Sequence, residues 1–309
     1  MNRTYVHIGL PKTGTTSLQD LFFAVHPQLA YLGQTNLWKE RDAKTIIKSI
    51  LVEDYCQSIG GENTVSQVAD RLLESHDRLV ISDEAFTFGE FMLRGPQWCL
   101  QSNHSAMANR IQKILGNVDI FIVLRNQVDW LISWHRQGLK TGKYLETHFK
   151  RWLDREIGPH RDHLYSLLDY DSLYNAYSGI FGRDHVHVYF YENYKDKFEL
   201  LAGQMAQVMN IDSHHAMRSL AGAAKNVTGE HFQTPSAALK KIINTKPLRA
   251  ALSVIPGSIK EAARRLLSGE QKYLTMDEKD RTETSNHFAE SNRRFFENIK
   301  ISAEIPGYF

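Results

Sequence analysis

The chain alternates short apolar runs with longer segments of helical periodicity, and this alternation limits its fold more than any other feature. Four runs are rich in β-branched or aromatic residues and are bounded by turn or charged residues, which predicts strands over 4–9, 78–82, 118–124 and 185–191. Helical spacing predicts helices over 14–25, 64–75, 105–115, 128–140 and 197–209. Alternating strands and helices form βαβ units, so we predict an α/β fold with a central parallel sheet and helices on both faces.

The remaining segments suggest one domain with an extended end. About 70 residues separate the first two predicted strands, so this crossover must hold additional helices. After about residue 230 the strand pattern fades, and residues 277–299 have the pattern of a polar amphipathic helix. We therefore predict a single domain over 1–309, with a nucleotide-binding α/β core over 1–230 and a helical C-terminal extension over 231–309. The locally basic stretch 236–268 is either a solvated face or a contact for an anionic glycan or a membrane surface.

Composition excludes several protein classes. The chain is 42% hydrophobic and 23% charged, which argues against a disordered chain, a coiled coil or a collagen-like repeat. The net charge of +2 argues against a dedicated nucleic-acid binder, and two cysteines are too few for a disulfide scaffold. No apolar run is long enough for a transmembrane helix, and the N-terminus lacks the pattern of a signal peptide, so a cytoplasmic location is expected.

The loop after the first predicted strand has the composition of an anion-binding site. The sequence HIGLPKTGTTSLQDLFF, residues 7–23, runs from a strand through Gly9 and Gly14 into a helix. Glycines let the backbone turn tightly, and a helix N-terminus carries partial positive charge and unpaired N–H donors. The hydroxyls at 15–17 and Lys12 complete a cradle suited to phosphate or sulfate.

The same loop departs from a nucleoside-triphosphate P-loop. The spacing from Gly9 to Gly14 matches the start of a Walker A sequence, but that sequence continues with lysine, where this chain has Thr15. The lysine lies inside the loop, at Lys12. The fold is therefore expected to be P-loop-like with an altered phosphate site, and a P-loop kinase or NTPase is an alternative interpretation.

This loop resembles the 5′-phosphosulfate loop of sulfotransferases that use 3′-phosphoadenosine 5′-phosphosulfate (PAPS), especially the bacterial and carbohydrate branch. Six consecutive residues match that pattern: Lys12, Thr13, Gly14, Thr15, Thr16 and Ser17. The resemblance implies that they bind the donor, and that Lys12 stabilises the leaving group.

A second motif, at residues 122–137, resembles the 3′-phosphate signature of the same family. Arg125 ends a buried strand and Ser133 lies on the following helix; Gln127 replaces a proline that the family often has. An arginine fork suits a phosphate, because it donates two parallel hydrogen bonds. The resemblance also implies an adenine contact at Tyr191 and a 3′-phosphate loop with Lys225 and Asn226; Tyr191 is equally well explained as a core residue.

Two acidic residues follow the second predicted strand. Asp83 and Glu84 read as a Walker B pair in an NTPase, whereas Glu84 resembles the general base of the sulfotransferases that use glutamate. A base that takes the acceptor's proton typically contributes 10²–10⁴-fold to the rate. The sequence does not choose between Asp83 and Glu84.

The combined prediction is a PAPS-dependent sulfotransferase that acts on a hydroxyl or amine acceptor, by resemblance a carbohydrate such as a glycan or glycolipid. Its product would be adenosine 3′,5′-bisphosphate. A metal is not expected, since the histidines show no metal-ligand spacing with cysteine or carboxylates. A non-catalytic nucleotide- or glycan-binding module is the second alternative. Oligomeric state and the position of sulfation are not predicted.

Overall fold

A computed structural model describes residues 3–33, 41–88, 104–221, 231–235, 268–300 and 305–308, with only the backbone described at 53–54, 231–235 and 268–273. The described residues group into two compact units. The first comprises residues from 1–127, 162–224 and 285–309, and the second comprises residues from 128–161 and 225–284. The single domain over 1–309 stays a prediction.

The first unit is built on a five-stranded parallel sheet in the order β2-β3-β1-β4-β5. Its strands are β1 Thr4–His7, β2 Leu29–Gly33, β3 Arg78–Ser82, β4 Asp119–Leu124 and β5 Val186–Phe190. Val6 in β1 is in register with Ile81 of β3 and Ile120 of β4, and all three are buried. Near-continuous apolar strands of this kind suit a parallel sheet that is covered on both faces.

Helices connect these strands. The helices of the first unit are α1 Thr15–Leu18, α2 Arg41–Leu51, α3 Glu53–Ser58, α4 Glu62–Ser75, α5 Ala85–Phe88 and α6 His104–Leu115. The chain then forms α7 Gln127–Thr141, which continues into the second unit, and α8 Phe149–Arg151, which lies there. It returns to the first unit through α9 Arg161–Leu167, α10 Tyr170–Phe181, α11 Tyr191–Tyr194, α12 Phe198–Met209 and α13 Ser213–Leu220. The last helix, α14 Glu278–Ile299, starts in the second unit and ends in the first.

The α/β fold and all four predicted strands are confirmed, with strand bounds within two residues of the expected ones. The crossover after β1 was incompletely predicted. It contains α2, α3 and α4 as expected, but also the edge strand β2, which pairs with β3 from Leu29 to Gly33. The predicted helix over 14–25 begins at Thr15 and changes to a π-helical turn over Gln19–Phe23.

The core of the first unit lies between the sheet and its helices. Tyr5 of β1 stacks on Phe121 of β4 at 5.5 Å between ring centroids, and this pair packs in one cluster with Leu201 and Met205 of α12. Burying a large apolar side chain contributes about 1.5–3 kcal/mol. This packing holds the strands in a fixed order and so fixes which strand ends are neighbours.

The second unit has an aromatic core and a small sheet. Trp130 and Trp134 of α7 stack at 5.2 Å, and His135 stacks on Trp152 at 4.3 Å. The strands β6 His231–Pro235 and β7 Ser268–Tyr273 pair antiparallel. The C-terminal helix was predicted within one residue of its bounds, but the strand pattern was wrongly expected to end near residue 230.

Candidate active site

The loop between β1 and α1 turns through three left-handed backbone positions. Gly9, Lys12 and Gly14 have φ of +50°, +72° and +83°. A Cβ on Gly14 would lie 2.3 Å from Cζ of Phe198, so this position requires glycine. Gly14 also has no side chain with which to cap α1, so the first amides of the helix have no side-chain acceptor there. A loop of this kind can present backbone N–H groups to an anion.

The hydroxyl groups of this loop divide into two kinds. Thr13 Oγ1 is buried and donates to the Leu10 carbonyl at 2.6 Å, so it shapes the loop from inside. Thr15 is also buried, and its hydroxyl donates to Glu84 Oε1. Thr16 is exposed and Ser17 is partly exposed, so these two hydroxyls are the accessible ones.

The two carboxylates after β3 have different surroundings. Asp83 is 3% exposed, and its Oδ1 accepts the Ala85 N–H at 2.8 Å, which holds the turn into α5. Burial raises the pKa of Asp83 to about 6, against the opposing effect of the Ala85 N–H. Glu84 instead meets Thr15 of the loop after β1. Burial raises the pKa of Glu84 as well, while Thr15 and the positive charge of Lys12 lower it.

Buried polar groups form hydrogen bonds that hold the ends of β1 and β3 in place. His7 Nδ1 lies 2.7 Å from Ser82 Oγ, which also accepts a hydrogen bond from Gln19 Nε2 at 2.9 Å. Burial lowers the pKa of His7 to about 3, so this imidazole is neutral at physiological pH. Thr87 Oγ1 lies 2.6 and 2.7 Å from the carbonyl oxygens of Ile8 and Gly9, which share its one proton, and so it joins α5 to the start of the loop. The sequence pattern did not indicate Gln19, Ser82 or Thr87.

Arg125 connects the end of β4 to the loop between β1 and α1, which together with the start of α1 (residues 8–17) is called the anion loop because its composition predicts anion binding. Its Nη1 donates to the Lys12 carbonyl at 3.0 Å, and its guanidinium lies 4.8 Å from the centroid of the Tyr191 ring. An aromatic ring beneath a guanidinium restricts the orientation of its plane. The ring of Tyr191 therefore helps to fix the direction of the Arg125 N–H groups that are not bonded to Lys12. Tyr191, which begins α11 directly after β5, is therefore in contact with Arg125.

A further acidic group lies beside this arginine. Glu192 Oε1 accepts the Asn126 N–H at 2.7 Å, and Glu192 Oε2 accepts the Tyr308 hydroxyl at 3.3 Å. Burial raises the pKa of Glu192, while the Asn126 N–H and the charge of Arg125 lower it. Neither Glu192 nor Tyr308 was among the predicted site residues.

The remaining predicted site residues do not belong to the first unit. Ser133 lies two turns into α7, is partly buried and belongs to the second unit. Lys225, Asn226 and most of the basic stretch lie outside the described residues.

The strand order explains why these groups meet. The ends of β3, β1 and β4 are neighbours in the sheet, so Glu84, Lys12 and Arg125 come together at its carboxyl edge. In open α/β sheets, ligands bind outside the carboxyl ends of the strands. The edge combines a loop suited to an anion, two cationic side chains and a carboxylate hydrogen-bonded to that loop.

Comparison with known proteins supports the fold. No protein-family model and no curated protein sequence matches the chain. Among solved structures, a sulfotransferase from Alicyclobacillus acidocaldarius is similar, with a TM-score of 0.57 and 14% identity over 98% of this chain and 98% of that chain. At this identity the similarity shows a shared fold. No helix in the described ranges combines the length and apolar character that a membrane span requires.

Proposed function

We propose that the chain is a sulfotransferase that moves a sulfuryl group from PAPS to a hydroxyl or amine acceptor and releases adenosine 3′,5′-bisphosphate. One observation carries this proposal: two hydrogen bonds join three strand ends through the anion loop. Glu84 accepts a hydrogen bond from Thr15 of this loop, and the Lys12 carbonyl of the same loop accepts one from Arg125. A base, a leaving-group cation and a phosphate-binding arginine are thus linked at one sheet edge. The fold that the chain shares with a sulfotransferase supports the same function.

The loop residues 12–17 would hold the 5′-phosphosulfate. Gly14 leaves the start of α1 without a side-chain cap, and Thr16 and Ser17 present accessible hydroxyls. Thr13 and Thr15 would contribute backbone N–H groups, because their hydroxyls are already used within the protein. The loop therefore fits a sulfate or phosphate group of the donor.

Arg125 would bind the 3′-phosphate, with Ser133 as a second donor. One Arg125 N–H is used on the Lys12 carbonyl, and the guanidinium is positioned over Tyr191. The stack makes Tyr191 a positioning residue for Arg125, in addition to its proposed contact with adenine. Lys225 and Asn226 remain proposed contacts on the strength of the resemblance alone.

In the proposed reaction, the acceptor oxygen or nitrogen attacks sulfur in line as its proton passes to Glu84. The bond between sulfur and the bridging oxygen breaks, and both electrons stay on that oxygen. Lys12 stabilises the charge that develops there, which is a transition-state effect because the charge is absent in the ground state. The products are a sulfated acceptor, protonated Glu84 and adenosine 3′,5′-bisphosphate.

Glu84 is a better candidate for the base than Asp83. The Asp83 carboxylate is turned into the protein, where it accepts the Ala85 N–H, whereas Glu84 is directed to the loop that would bind the donor. A raised pKa also suits a general base, since basicity rises with pKa. We propose a structural role for Asp83.

The acceptor is proposed to be a carbohydrate hydroxyl or amine, in a glycan or glycolipid, because the glutamate at this position resembles that branch. The location is proposed to be cytoplasmic, with peripheral membrane contact possible through the basic stretch 236–268 and no nucleic-acid partner. These proposals rest on the sequence and on the resemblance.

Binding of the donor product tests the first half of the proposal. Adenosine 3′,5′-bisphosphate should bind in calorimetry without Mg²⁺, and Lys12→Ala should weaken it while Lys44→Ala, an exposed lysine on α2, should not. If ATP with Mg²⁺ binds and the bisphosphate does not, the chain is a P-loop kinase or NTPase instead.

Transfer of labelled sulfate from PAPS to a panel of oligosaccharides tests the second half. Glu84→Gln should lower turnover by 10²-fold or more, since the base typically contributes that much. Glu74→Gln on α4, an exposed carboxylate, is the matched control and should be fully active. Bisphosphate binding without transfer to any acceptor would favour the non-catalytic module.

A further inference from the structure

A histidine and two aspartates that are not among the candidate active-site residues meet in the second unit. His148, Asp277 and Asp280 each place one ligand atom within 4.8 Å of the others. The backbone brings them together: Phe149 N–H donates to the Thr275 carbonyl at 2.8 Å, and Thr275 N–H donates to the Thr147 carbonyl at 3.0 Å. The segment before α8 is thus paired with the segment that leads into α14.

The two aspartates lie at the start of α14, where only one of them acts as a cap. Asp277 Oδ1 accepts the Asp280 N–H at 2.7 Å. In a capping box, a glutamate or glutamine three positions later reaches back to the cap's own N–H; here that position holds the shorter Asp280. Asp280 is only 5% exposed, and its Oδ2 has no hydrogen-bond partner among the described residues; the same is true of the buried Nδ1 of His148.

Unpaired buried polar atoms cost free energy, so two of them in one cluster call for a shared partner. The two lysines nearest in sequence to these residues, Lys150 and Lys279, both pair with Glu283, at 3.3 and 3.8 Å. The partner for the cluster must accept lone pairs from both an imidazole and a carboxylate, and must offset the charge of two aspartates. A divalent cation meets both requirements.

We propose that His148, Asp277 and Asp280 bind one divalent first-row transition cation, of the kind represented by Zn²⁺ and Mn²⁺. A mixed nitrogen and oxygen ligand set favours such ions over Mg²⁺ and Ca²⁺, which prefer oxygen ligands alone. The cation would join the segment at residues 147–149 to the start of α14. Its role is structural, since none of its ligands belongs to the proposed sulfuryl-transfer site.

Sequence spacing did not reveal this site because its ligands come from distant segments. Asp277 and Asp280 are three residues apart, but His148 lies far upstream and only the pairing around Thr275 brings it near. The expectation that the histidines have no metal-ligand spacing concerned the linear sequence alone.

The test uses the full chain, stripped of metal with a chelator and titrated with Co²⁺, whose visible absorption reports nitrogen and oxygen ligation. We expect one equivalent to bind, Zn²⁺ to displace it, and either ion to raise the melting temperature. His148→Gln and Asp280→Asn should each weaken binding at least ten-fold. Asp277→Ser removes a charge but keeps a capping oxygen, so it should weaken binding without unfolding the helix start.

His185→Gln is the matched control, because His185 and His187 lie 3.2 and 2.9 Å from the Asp119 carboxylate and so form a histidine–carboxylate group outside the proposed metal site. It should bind Co²⁺ as the parent chain does. Circular dichroism of each metal-free variant separates loss of the site from loss of the fold. The proposal is overturned if the parent chain binds no Co²⁺ or Zn²⁺ at hundreds of micromolar, or if folded His148→Gln binds as tightly as the parent.

Discussion

Replacing Thr15 with valine should raise the pKa of Glu84. The Thr15 hydroxyl donates to Glu84 Oε1, and this bond favours the charged carboxylate. Valine has nearly the same shape, so the burial that raises the pKa of Glu84 stays, while the hydrogen bond that opposes it is lost. The two remaining influences are burial, which raises the pKa, and the charge of Lys12, which lowers it.

The size of the effect follows from the strength of such a bond. A hydrogen bond to a charged group contributes about 1.5–3 kcal/mol net, and one pKa unit corresponds to about 1.4 kcal/mol. The pKa of Glu84 in Thr15→Val should therefore rise by roughly one to two units. If Glu84 is the base, it must be deprotonated to accept the proton of the acceptor. The fall of kcat/KM at low pH should then occur at a pH that is higher by the same amount.

Carbon-13 NMR of carboxyl-labelled glutamate measures this pKa without any acceptor substrate. Glu84→Gln identifies the signal, and Thr16→Val is the matched control, because Thr16 is the exposed neighbour and should leave the Glu84 titration unchanged. A Glu84 pKa that stays constant or falls in Thr15→Val would refute the reasoning, since it would mean that the hydroxyl does not stabilise the carboxylate.

Three other substitutions test separate parts of the structure. Arg125→Lys removes the planar fork, so calorimetry should show at least ten-fold weaker bisphosphate binding, whereas Arg78→Lys on β3 should bind normally. Gly14→Ala forces a Cβ to 2.3 Å from Phe198 at a left-handed position, so urea unfolding should show a loss of about 2–5 kcal/mol; a loss under about 0.5 kcal/mol contradicts this. Burial lowers the pKa of His7 from 6.5 to about 3, so between these pH values the unfolded chain binds a proton that the folded chain does not. The free energy of unfolding should therefore be fully maintained above pH 6.5 and should fall by about 1.4 kcal/mol per pH unit as the pH drops from 6.5 toward 3. His7→Gln should flatten that slope in urea midpoints, and an unchanged slope would assign it to other groups.

The central strands were predictable because their signal is local. Residues 120–124 are all apolar and buried, and such a continuous apolar run has few alternatives to a strand in a covered sheet. The edge strand β2 was missed because LAYLG is short and lies inside a long crossover with helical patterns on its C-terminal side. The strands β6 and β7 were missed because HFQTP and SGEQKY are mostly polar and carry no apolar alternation.

The candidate site was predictable in its parts but not in its connections. The sequence placed Lys12, Glu84 and Arg125 at three strand ends. That these ends are neighbours depends on the order β3-β1-β4, which is a long-range property of the sheet. The choice between the two acids was also hidden, because it depends on which way each carboxylate turns after β3, toward the Ala85 N–H or toward Thr15.

The Thr15–Glu84 contact also bears on the kinase alternative. In a Walker A loop, the residue after the second glycine is the lysine that reaches the phosphates. Here that position is Thr15, and its hydroxyl is bonded to a carboxylate, so it brings negative charge toward the anion loop. Lys12 offsets that charge from within the loop, since it lowers the pKa of Glu84. A carboxylate and a cation beside one loop suit the proposed transfer, in which the acceptor must lose a proton, better than they suit a Walker lysine held on a triphosphate.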